Sequence, residues 1–453
     1  MLGGTDEKCL AHVKAMKGGE NMSNERSNVW IPASPACLLG AYRMAVAFKD
    51  CVTVIHGPVG CHFGPNFIEI ASNNTLFNAY SSAIRDRSVI YGGIQNLKRT
   101  INTIRKYYKG KKVIVLSAHV PSIIGDDLSG IDADICIDCG SFEPMWYGME
   151  KFLEGLWELI EKKGEAEKEG ARGEGKREQT KRKNLVNLIG FQRDVVCAEE
   201  DLAELKYILR ACGIDVNVIP EEMRRLGGAK NANLNVVFGY GVRLAEKMRH
   251  EYGIPYIVAE YPYGYEGIRR FVAKIGEYCE ISERALEKVF NEIMQKLRYY
   301  RNYLHLFYEL PVFIAGDLPR VSGMSKFLTD ELGADVECSY IKCKSIANYD
   351  VESAELVYDN NAFAQKLSIE TEFESSAKTM EISKREDKPE SAGLERERGC
   401  FVLFGTDEER KILRDTIVFA FPSFTRFSFV PYLGRGVLNL IADIYERVVK
   451  WLY

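Results

Sequence analysis

The chain has 453 residues, of which 46% are hydrophobic and 27% are charged, and its formal net charge at pH 7 is −4. This balance predicts a soluble globular protein of two or three domains and gives no electrostatic argument for binding nucleic acid. No apolar run reaches the ~18 residues that a membrane-spanning helix requires, and the polar N-terminus lacks the apolar core of a signal peptide. We therefore expect a cytoplasmic protein without a disulfide framework, although it has 12 cysteines.

Short β-branched runs alternate with amphipathic helical segments almost throughout the chain. Because each run is apolar on both sides, it is typical of a parallel strand that helices cover on both faces. The runs fall into three series, which predicts an α/β protein with three Rossmann-like, doubly wound parallel-sheet domains. We place these domains at residues 28–160, 184–300 and 301–453, after an N-terminal extension of residues 1–27.

Two strongly polar segments interrupt this pattern. Residues 161–183 contain fifteen charged residues among twenty-three and no aromatic residue, so this segment cannot contribute to a hydrophobic core. Residues 370–398 have a similar composition. We interpret the first as a flexible insertion between two domains and the second as a charged surface loop of the third domain, and we assign neither a function.

Two cysteines and a histidine of the first domain occupy positions that favour metal binding. Cys37 begins a predicted helix, Cys61 lies in the glycine turn HGPVGC after a strand, and His119 ends the strand VIVLS. In an open parallel sheet, ligands bind beyond the carboxyl ends of the strands. Because thiolates are strong iron ligands and imidazole is a weaker one, this grouping predicts an iron–sulfur cluster.

Each of these residues also has an ordinary structural explanation. Cys37 and Cys61 could be buried small side chains, and His119 could be a hydrogen-bonded core histidine. Two further histidines flank the glycine turn. We interpret His56 as a structural hydrogen-bond partner and His62 as a weak candidate for a catalytic proton donor.

The segment CIDC, with Cys136 and Cys139, invites a redox or zinc interpretation. Along a strand, residues three apart point to opposite faces, so both thiols could bind one ion only if the strand bends. Core packing is therefore the simpler interpretation, and a ligand role stays open.

Several arginines follow turns or strand ends, where they could line a cleft for an anionic substrate. The ordinary role of each such arginine is that of a surface or salt-bridge residue. The candidates for the substrate cleft are Arg85, Arg243 and Arg426, with Arg87 and Arg320 in similar positions.

Several motifs, in one order along the chain, resemble those of the nitrogenase component 1 superfamily. The first domain contributes CLLGA from Cys37, HGPVGC to Cys61, SVIYGG to Gly93 and IIGDD to Asp127. The second contributes ANLNVVFGYG and HEYGIPYI, and the third contributes GMSKFLTDELGADV and FPSFTRFSFVPYLGRGVLNLI. This superfamily includes the molybdenum–iron protein subunits, their cofactor-assembly scaffold relatives, and the dark-operative protochlorophyllide and chlorophyllide reductases.

The resemblance implies three domains around a central cleft and a dimer with a homologous component 1 subunit. That subunit could be a second copy or a different chain, and a tetramer is a further option. The resemblance also implies a cluster at the subunit interface, held here by Cys37 and Cys61. Electrons would come from a separate ATP-dependent iron protein with its own 4Fe-4S cluster, which agrees with the lack of a Walker A motif in this sequence.

Three positions depart from the superfamily pattern. His119 stands where nitrogenase subunits have a third cluster cysteine, so we expect a 4Fe-4S cluster, completed by a partner subunit or by His119, in place of an eight-iron cluster. The cofactor cysteine would fall at or near Gly239, and the cofactor histidine near Phe424. We therefore do not expect an iron–molybdenum cofactor on this chain, which resembles the partner-type subunit more closely.

These observations predict a component-1-type subunit of a nitrogenase-like reductase, which binds an interface 4Fe-4S cluster and relays electrons to a substrate in the central cleft. A non-catalytic scaffold for metal–sulfur cofactor assembly is the main alternative, since missing cofactor ligands fit that role as well. A fold relative that has lost its cluster is a third interpretation.

Overall fold

In the computed structural model, three parallel β-sheets with flanking helices confirm the predicted α/β fold. The structure describes residues 37–62, 79–161, 184–195, 197–300, 307–308, 310–358, 402–405, 417–420 and 441. The predicted N-terminal extension and, apart from Glu161, both charged segments lie outside these residues. None of the described helices combines the length and the apolar character needed to cross a membrane.

The first sheet has four parallel strands in the order β2-β1-β3-β4. Its strands are β1 (Cys51–His56), β2 (Ala79–Ser81), β3 (Lys112–Ser117) and β4 (Ile135–Asp138). The helices of this domain are α1 (Cys37–Ala45), α2 (Asp86–Tyr91), α3 (Ile94–Tyr107), α4 (His119–Ile124) and α5 (Met145–Gly155). The strand order reverses between β1 and β3. The chain therefore leaves their carboxyl ends in opposite directions, and ligands of doubly wound sheets bind at such an edge.

The second sheet has the order β6-β5-β7-β8. Its strands are β5 (Leu185–Ile189), β6 (Asp215–Ile219), β7 (Leu234–Val237) and β8 (Tyr256–Val258). The helices are α6 (Ala198–Ala211), α7 (Val242–Tyr252), α8 (Gly264–Gly276) and α9 (Glu283–Tyr300). In this sheet the Asn187 side chain hydrogen-bonds to Asn217 at 2.8 Å and to Asn235 at 2.7 Å across matched registers. These amides of neighbouring strands thus pair with one another, although the Asn235 Nδ2 atom has no partner among the described residues.

The third sheet has five described strands in the order β11-β10-β9-β12-β13. They are β9 (Pro311–Asp317), β10 (Asp335–Cys343), β11 (Glu355–Val357), β12 (Val402–Gly405) and β13 (Ile417–Ala420). Strand β9 leads directly into α10 (Leu318–Lys326), which continues as a π-helical turn over Phe327–Glu331. One hydrophobic core joins the second and third domains, since it contains both Phe238 and Ile314.

A carboxyl group of the third domain caps a helix of the second. Glu331 accepts hydrogen bonds from the backbone N–H groups of Tyr265 and Glu266, both at 2.9 Å, in the first turn of α8. Burial opposes the carboxylate more strongly than these bonds favour it, and it raises the pKa of Glu331 from 4.5 to about 7. Between these two pH values the folded protein holds a proton here that the unfolded chain has lost.

This raised pKa predicts that Glu331 stabilises the fold less as the pH rises from 4.5 to about 7. A group whose pKa is raised in the folded state stabilises it below the unfolded pKa, and that contribution is lost as the pH passes the folded pKa. Glu331→Gln mimics the protonated carboxyl, so its urea midpoint relative to wild type should rise across this window and then level off. Asp330→Asn, at an exposed carboxyl 3.0 Å from Arg270, is the control, and an equal rise there would contradict the assignment.

Candidate functional site

Cys37 is the first residue of α1 and is completely buried. Its backbone N–H donates a hydrogen bond to the Glu143 carbonyl oxygen at 3.1 Å, which joins the start of α1 to the segment before α5. The two helices touch backbone to backbone. A Cβ added at Gly40 would lie 1.9 Å from the Met145 carbonyl oxygen, and one at Gly148 would lie 1.9 Å from the Cys37 carbonyl oxygen. Only glycine fits at these crossings, so the CLLGA motif fixes where the Cys37 thiol lies.

Neighbours that the sequence did not indicate favour the thiolate form of Cys37. The Cys139 thiol donates a hydrogen bond to it, the Ser141 hydroxyl lies against it, and the Lys151 charge attracts it. These contacts, the Cys139 bond first, lower the pKa of Cys37 to about 7, although burial acts in the opposite direction. The same bond, together with burial, raises the pKa of Cys139 well above that of a free thiol. The pKa of Cys37 is thus the lower of the two, and the thiolate is the form in which cysteine binds metals.

Cys61 lies at the same end of the sheet, in a 3₁₀ turn spanning Val59–His62. A Cβ added at Gly57 would lie 3.7 Å from the Cys61 sulfur and 2.8 Å from the Ala118 Cβ, so the loops after β1 and β3 are in contact. Cys61 is half-buried, and burial raises its pKa. Its side chain packs against the apolar cluster that contains Cys37. The structure therefore brings both predicted cysteine ligands to one edge.

His119 begins α4 directly after β3, and its ring packs against Phe142 with 4.6 Å between centroids. The Nε2 atoms of His119 and His62 and the Ser141 hydroxyl oxygen are buried without a hydrogen-bond partner among the described residues. Buried polar atoms are nearly always paired. A bound group or a second subunit at this sheet edge would supply hydrogen-bond partners or ligand bonds to these unpaired atoms.

The donor set at this edge suits an iron–sulfur cluster better than a single metal ion. In the described part of the chain, no three His, Cys, Asp or Glu side chains converge to hold one ion. In a 4Fe-4S cluster, by contrast, each iron takes a single protein ligand, so the ligands can lie further apart. A buried thiolate at Cys37, a second thiol at Cys61 and an unpaired imidazole nitrogen at His119 fit that requirement.

His56 and Asp126 explain why the HGP and IIGDD motifs occur together. The His56 ring is buried, with Nδ1 2.9 Å from the Ser82 hydroxyl and Nε2 3.1 Å from an Asp126 carboxylate oxygen. The same carboxylate accepts the Gly93 N–H at 2.9 Å and so closes the SVIYGG turn. Burial lowers the pKa of His56, although Asp126 acts in the opposite direction. These contacts support the structural role predicted for His56.

The sequence matches the family model described as Nitrogenase component 1 type Oxidoreductase over residues 36–449. The chain belongs to this family. It is 26% identical over 345 residues to one chain of the light-independent protochlorophyllide reductase of Zygnema circumcarinatum, and the match covers 71% of this chain and 66% of that protein. It is 25% identical over 307 residues to the nitrogenase molybdenum-iron protein alpha chain of Clostridium pasteurianum, covering 60% of this chain and 53% of that protein.

A third relative is the nitrogenase iron-molybdenum cofactor biosynthesis protein NifE of Clostridium pasteurianum, 26% identical over 317 residues, with 64% of this chain and 65% of that protein covered. These matches thus span between half and two thirds of the relatives' lengths. The solved structure described as "Nitrogenase Cp1 at pH 6.5" has a TM-score of 0.69 at 17% identity and covers 94% of both chains. This likeness shows the fold, and the predicted superfamily is confirmed by the family match.

In this nitrogenase component 1 relative, described residues at the meeting point of the three domains form a buried polar cluster. Arg43 of α1 binds Asp194 of the second domain at 2.5 Å and Asp317 of the third at 2.8 Å. The Gln192 amide donates to Asp317 at 2.6 Å, and the Arg320 guanidinium donates to the Gln192 side-chain oxygen at 3.1 Å. None of the five side chains is more than 5% exposed. Arg320, which the sequence placed among the candidate cleft arginines, is therefore buried in this cluster and is not accessible to a substrate.

The position at or near which the resemblance places the cofactor cysteine is also closely packed. Gly239 has φ +81°, and a Cβ added there would lie 2.1 Å from Cγ of Pro319. A side chain at this position would collide with the start of α10, so the residues present do not fit an iron–molybdenum cofactor held in the nitrogenase manner. Phe424, near which the resemblance places the cofactor histidine, lies outside the described residues.

The other candidate substrate arginines of this component 1 relative have different surroundings. Arg85 and Arg87 are exposed at the start of α2. Arg243, in the first turn of α7, is partly exposed and lies 3.6 Å from a Glu154 carboxylate oxygen. Arg426 lies outside the described residues. Of the three arginines predicted for the substrate cleft, Arg85 and Arg243 are therefore accessible to an anion in the structure.

Large apolar side chains are exposed around the edge of the first sheet that carries Cys37 and Cys61. They come from the turn that carries Cys61, from the end of α2, from α4 and from the loop that covers His119. Exposed apolar surface of this kind marks an interaction site. The side chains, with their exposed fractions, are Val59 (58%), Ile90 (75%), Tyr91 (80%), Ile123 (71%) and Phe142 (72%).

Proposed function

We propose that this chain is a component-1-type subunit of a nitrogenase-like reductase, and that Cys37 and Cys61 hold a 4Fe-4S cluster where two homologous subunits meet. The observation that carries the proposal is the buried Cys37 thiol at the same sheet edge as the Cys61 turn, with exposed apolar side chains around it. Two such subunits would supply four thiols, the number that a 4Fe-4S cluster requires. His119 is the alternative fourth ligand if the partner supplies only one thiol.

When bound, such a cluster transfers single electrons. Cys37 and Cys61 would hold it, and the apolar side chains would exclude water once a second subunit covers the edge, which suits low-potential chemistry. An ATP-dependent iron protein would deliver the electrons. His62, whose Nε2 is buried near Cys61, is the candidate to hold a proton close to the cluster.

The filled domain junction bears on where the substrate would be reduced. The Arg43 cluster is buried at the junction of the three domains, and Pro319 packs against Gly239, at or near which the resemblance places the cofactor cysteine. We therefore assign this chain the partner-type role and place substrate reduction on the homologous subunit or between the two. Arg85 and Arg243 are the described arginines that could contact an anionic substrate there.

A scaffold for metal–sulfur cofactor assembly is the second candidate function. The 26% identity to NifE favours it. A scaffold would hold a cluster at the same edge but would pass it to an acceptor protein and reduce no substrate.

The test is to purify the chain without oxygen, together with any homologous subunit that accompanies it, and to measure iron, acid-labile sulfide and the EPR spectrum after dithionite reduction. We expect about four irons per dimer and the signal of a reduced 4Fe-4S cluster. Substrate turnover with an iron protein and ATP would support the reductase, whereas cluster transfer to an acceptor without turnover would support the scaffold. Protein without iron after anaerobic maturation would overturn both.

A further inference from the structure

Gly57 lies between the end of β1 and the turn that carries Cys61, and it touches the Cys61 side chain. A Cβ added at Gly57 would lie 3.5 Å from the Cβ and 3.7 Å from the sulfur of Cys61. The Cys61 backbone N–H donates to the Pro58 carbonyl oxygen at 3.0 Å, which closes the turn. The position of the Gly57 backbone therefore influences where the Cys61 sulfur lies.

Residues at and just after the end of β2 bind both polar groups of the Gly57 backbone. The Gly57 N–H donates to the Ser82 hydroxyl oxygen at 3.1 Å. The Gly57 carbonyl oxygen accepts the Ile84 N–H at 3.0 Å and, at 3.4 Å, the Ser81 hydroxyl. The bond to Ile84 joins two backbones, whereas the bond from the Gly57 N–H depends on one buried side chain. Ser82 is therefore the side chain that fixes this N–H group beside Cys61.

His56 orients the Ser82 hydroxyl. The Asp126 carboxylate, 3.1 Å from Nε2 of His56, can only accept a hydrogen bond, so Nε2 carries the proton of the neutral ring. Nδ1 is then an acceptor, and the Ser82 hydroxyl donates to it at 2.9 Å. Because its proton points at the ring, the hydroxyl presents a lone pair to the Gly57 N–H. One directed chain of hydrogen bonds thus runs from the backbone beside Cys61 to the Asp126 carboxylate.

We propose that Ser82 is a positioning residue for the cluster ligand Cys61, and that its hydroxyl, oriented by His56, fixes the Gly57 backbone and so holds the Cys61 sulfur in place. Residues that orient a metal ligand tune the metal site without binding the metal. This inference rests on the proposed function, since it requires Cys61 to bind the cluster. Ser82 itself binds neither iron nor substrate.

The experiment compares Ser82→Ala with Ser325→Ala in the anaerobically purified protein, together with any homologous subunit that accompanies it. Ser325, in the third domain, is the matched control because it is also buried, accepts the Glu352 N–H at 3.2 Å and donates to the Ser322 carbonyl oxygen at 3.0 Å. Both variants should lower the urea midpoint to a similar extent. Only Ser82→Ala should change the EPR g values of the reduced cluster. It should also speed iron release to a chelator about two- to tenfold, because one hydrogen bond no longer opposes local opening of the turn.

Two replacements of His56 separate the two halves of the hydrogen-bond chain. The asparagine amide reaches about as far as Nδ1 and can still bind Ser82, whereas the glutamine amide reaches about as far as Nε2 and can bind Asp126 instead. His56→Asn should therefore keep g values and a rate of iron release closer to wild type than His56→Gln does. The reverse order would overturn the role of Ser82, and this pair decides the test if Ser82→Ala does not fold.

The remaining outcomes separate the inference from the proposed function. Loss of all iron from folded Ser82→Ala, with full iron in Ser325→Ala, would support the positioning role more strongly. Iron-loaded Ser82→Ala with wild-type g values and wild-type iron release would overturn the inference alone. Equal changes in Ser325→Ala would assign them to general destabilisation and would also overturn it. Wild-type protein without iron would overturn the proposed function, and the inference with it.

Discussion

Replacing Cys61 with alanine should remove the iron–sulfur cluster and leave the protein folded. Cys61 is half-buried in a short 3₁₀ turn, so its side chain adds little to the core, and its loss should cost about 1 kcal/mol of stability or less. The cluster, in contrast, would lose one thiol from each subunit of a symmetric dimer. We expect the iron content to fall from about four per dimer to nearly none, and the EPR signal of the reduced cluster to disappear.

Cys136→Ala is the matched control, because Cys136 is also half-buried but packs on the opposite face of the same sheet. It should keep its iron and its EPR signal. Cys37→Ala is a weaker test, since the completely buried Cys37 lies under α5 and its removal also disturbs the packing of α1. Full iron in Cys61→Ala, or equal loss in Cys136→Ala, would contradict the assignment of Cys61.

The sequence predicted both cysteines at one sheet edge because their positions depend on local patterns. A glycine turn after a β-branched run places Cys61, and a helix start places Cys37. The reversal of strand order that brings these ends together is the regular behaviour of doubly wound sheets. Whether Cys37 and Cys61 bind a cluster stays a prediction.

The sequence named Cys139 as an open ligand candidate but could not place it in the core that contains Cys37, because that position depends on a contact between distant segments. Strand alternation indicates that Cys136 and Cys139 face opposite ways, but it does not indicate what each face meets. The packing of α1 against α5 decides that, through glycines whose importance is visible only in three dimensions. The core that contains both Cys37 and Cys139 joins residues about a hundred positions apart.

The buried polar cluster at the domain junction could not be predicted from the sequence either, because its contacts also join distant segments. Arg43 lies in the helical segment CLLGAYRMA, where an arginine would ordinarily face solvent, and its carboxylate partners are 151 and 274 positions away. Arg320 follows a strand end, a position that suits a substrate contact, but the structure buries it over the Tyr261 ring at 3.9 Å. Local sequence patterns predict where the strands end. Only the tertiary structure shows which side chains at those ends are exposed to solvent.

Arg43→Met should be strongly destabilising. The change leaves the Asp194 and Asp317 carboxylates buried without their cation. Burial raises the pKa of Asp194, and the Arg43 charge is the main opposing influence. Removing one partner of a buried ion pair costs about 3–5 kcal/mol, so the urea midpoint should fall markedly. Lys49→Met removes an exposed ion pair with Glu199, 3.1 Å apart, between the first and second domains, and should cost about 1 kcal/mol or less.

The triple variant Arg43→Met, Asp194→Asn, Asp317→Asn separates charge from packing. With no uncompensated charge left, it should recover much of the stability that the single variant loses. A triple variant as unstable as Arg43→Met would instead assign the loss to the packing of the guanidinium group. Because α1 carries Cys37 at its first residue and Arg43 six residues later, the same ion pairs hold the proposed cluster ligand in place. Iron content should therefore fall in Arg43→Met, although Arg43 lies in the junction cluster, and should return with stability in the triple variant.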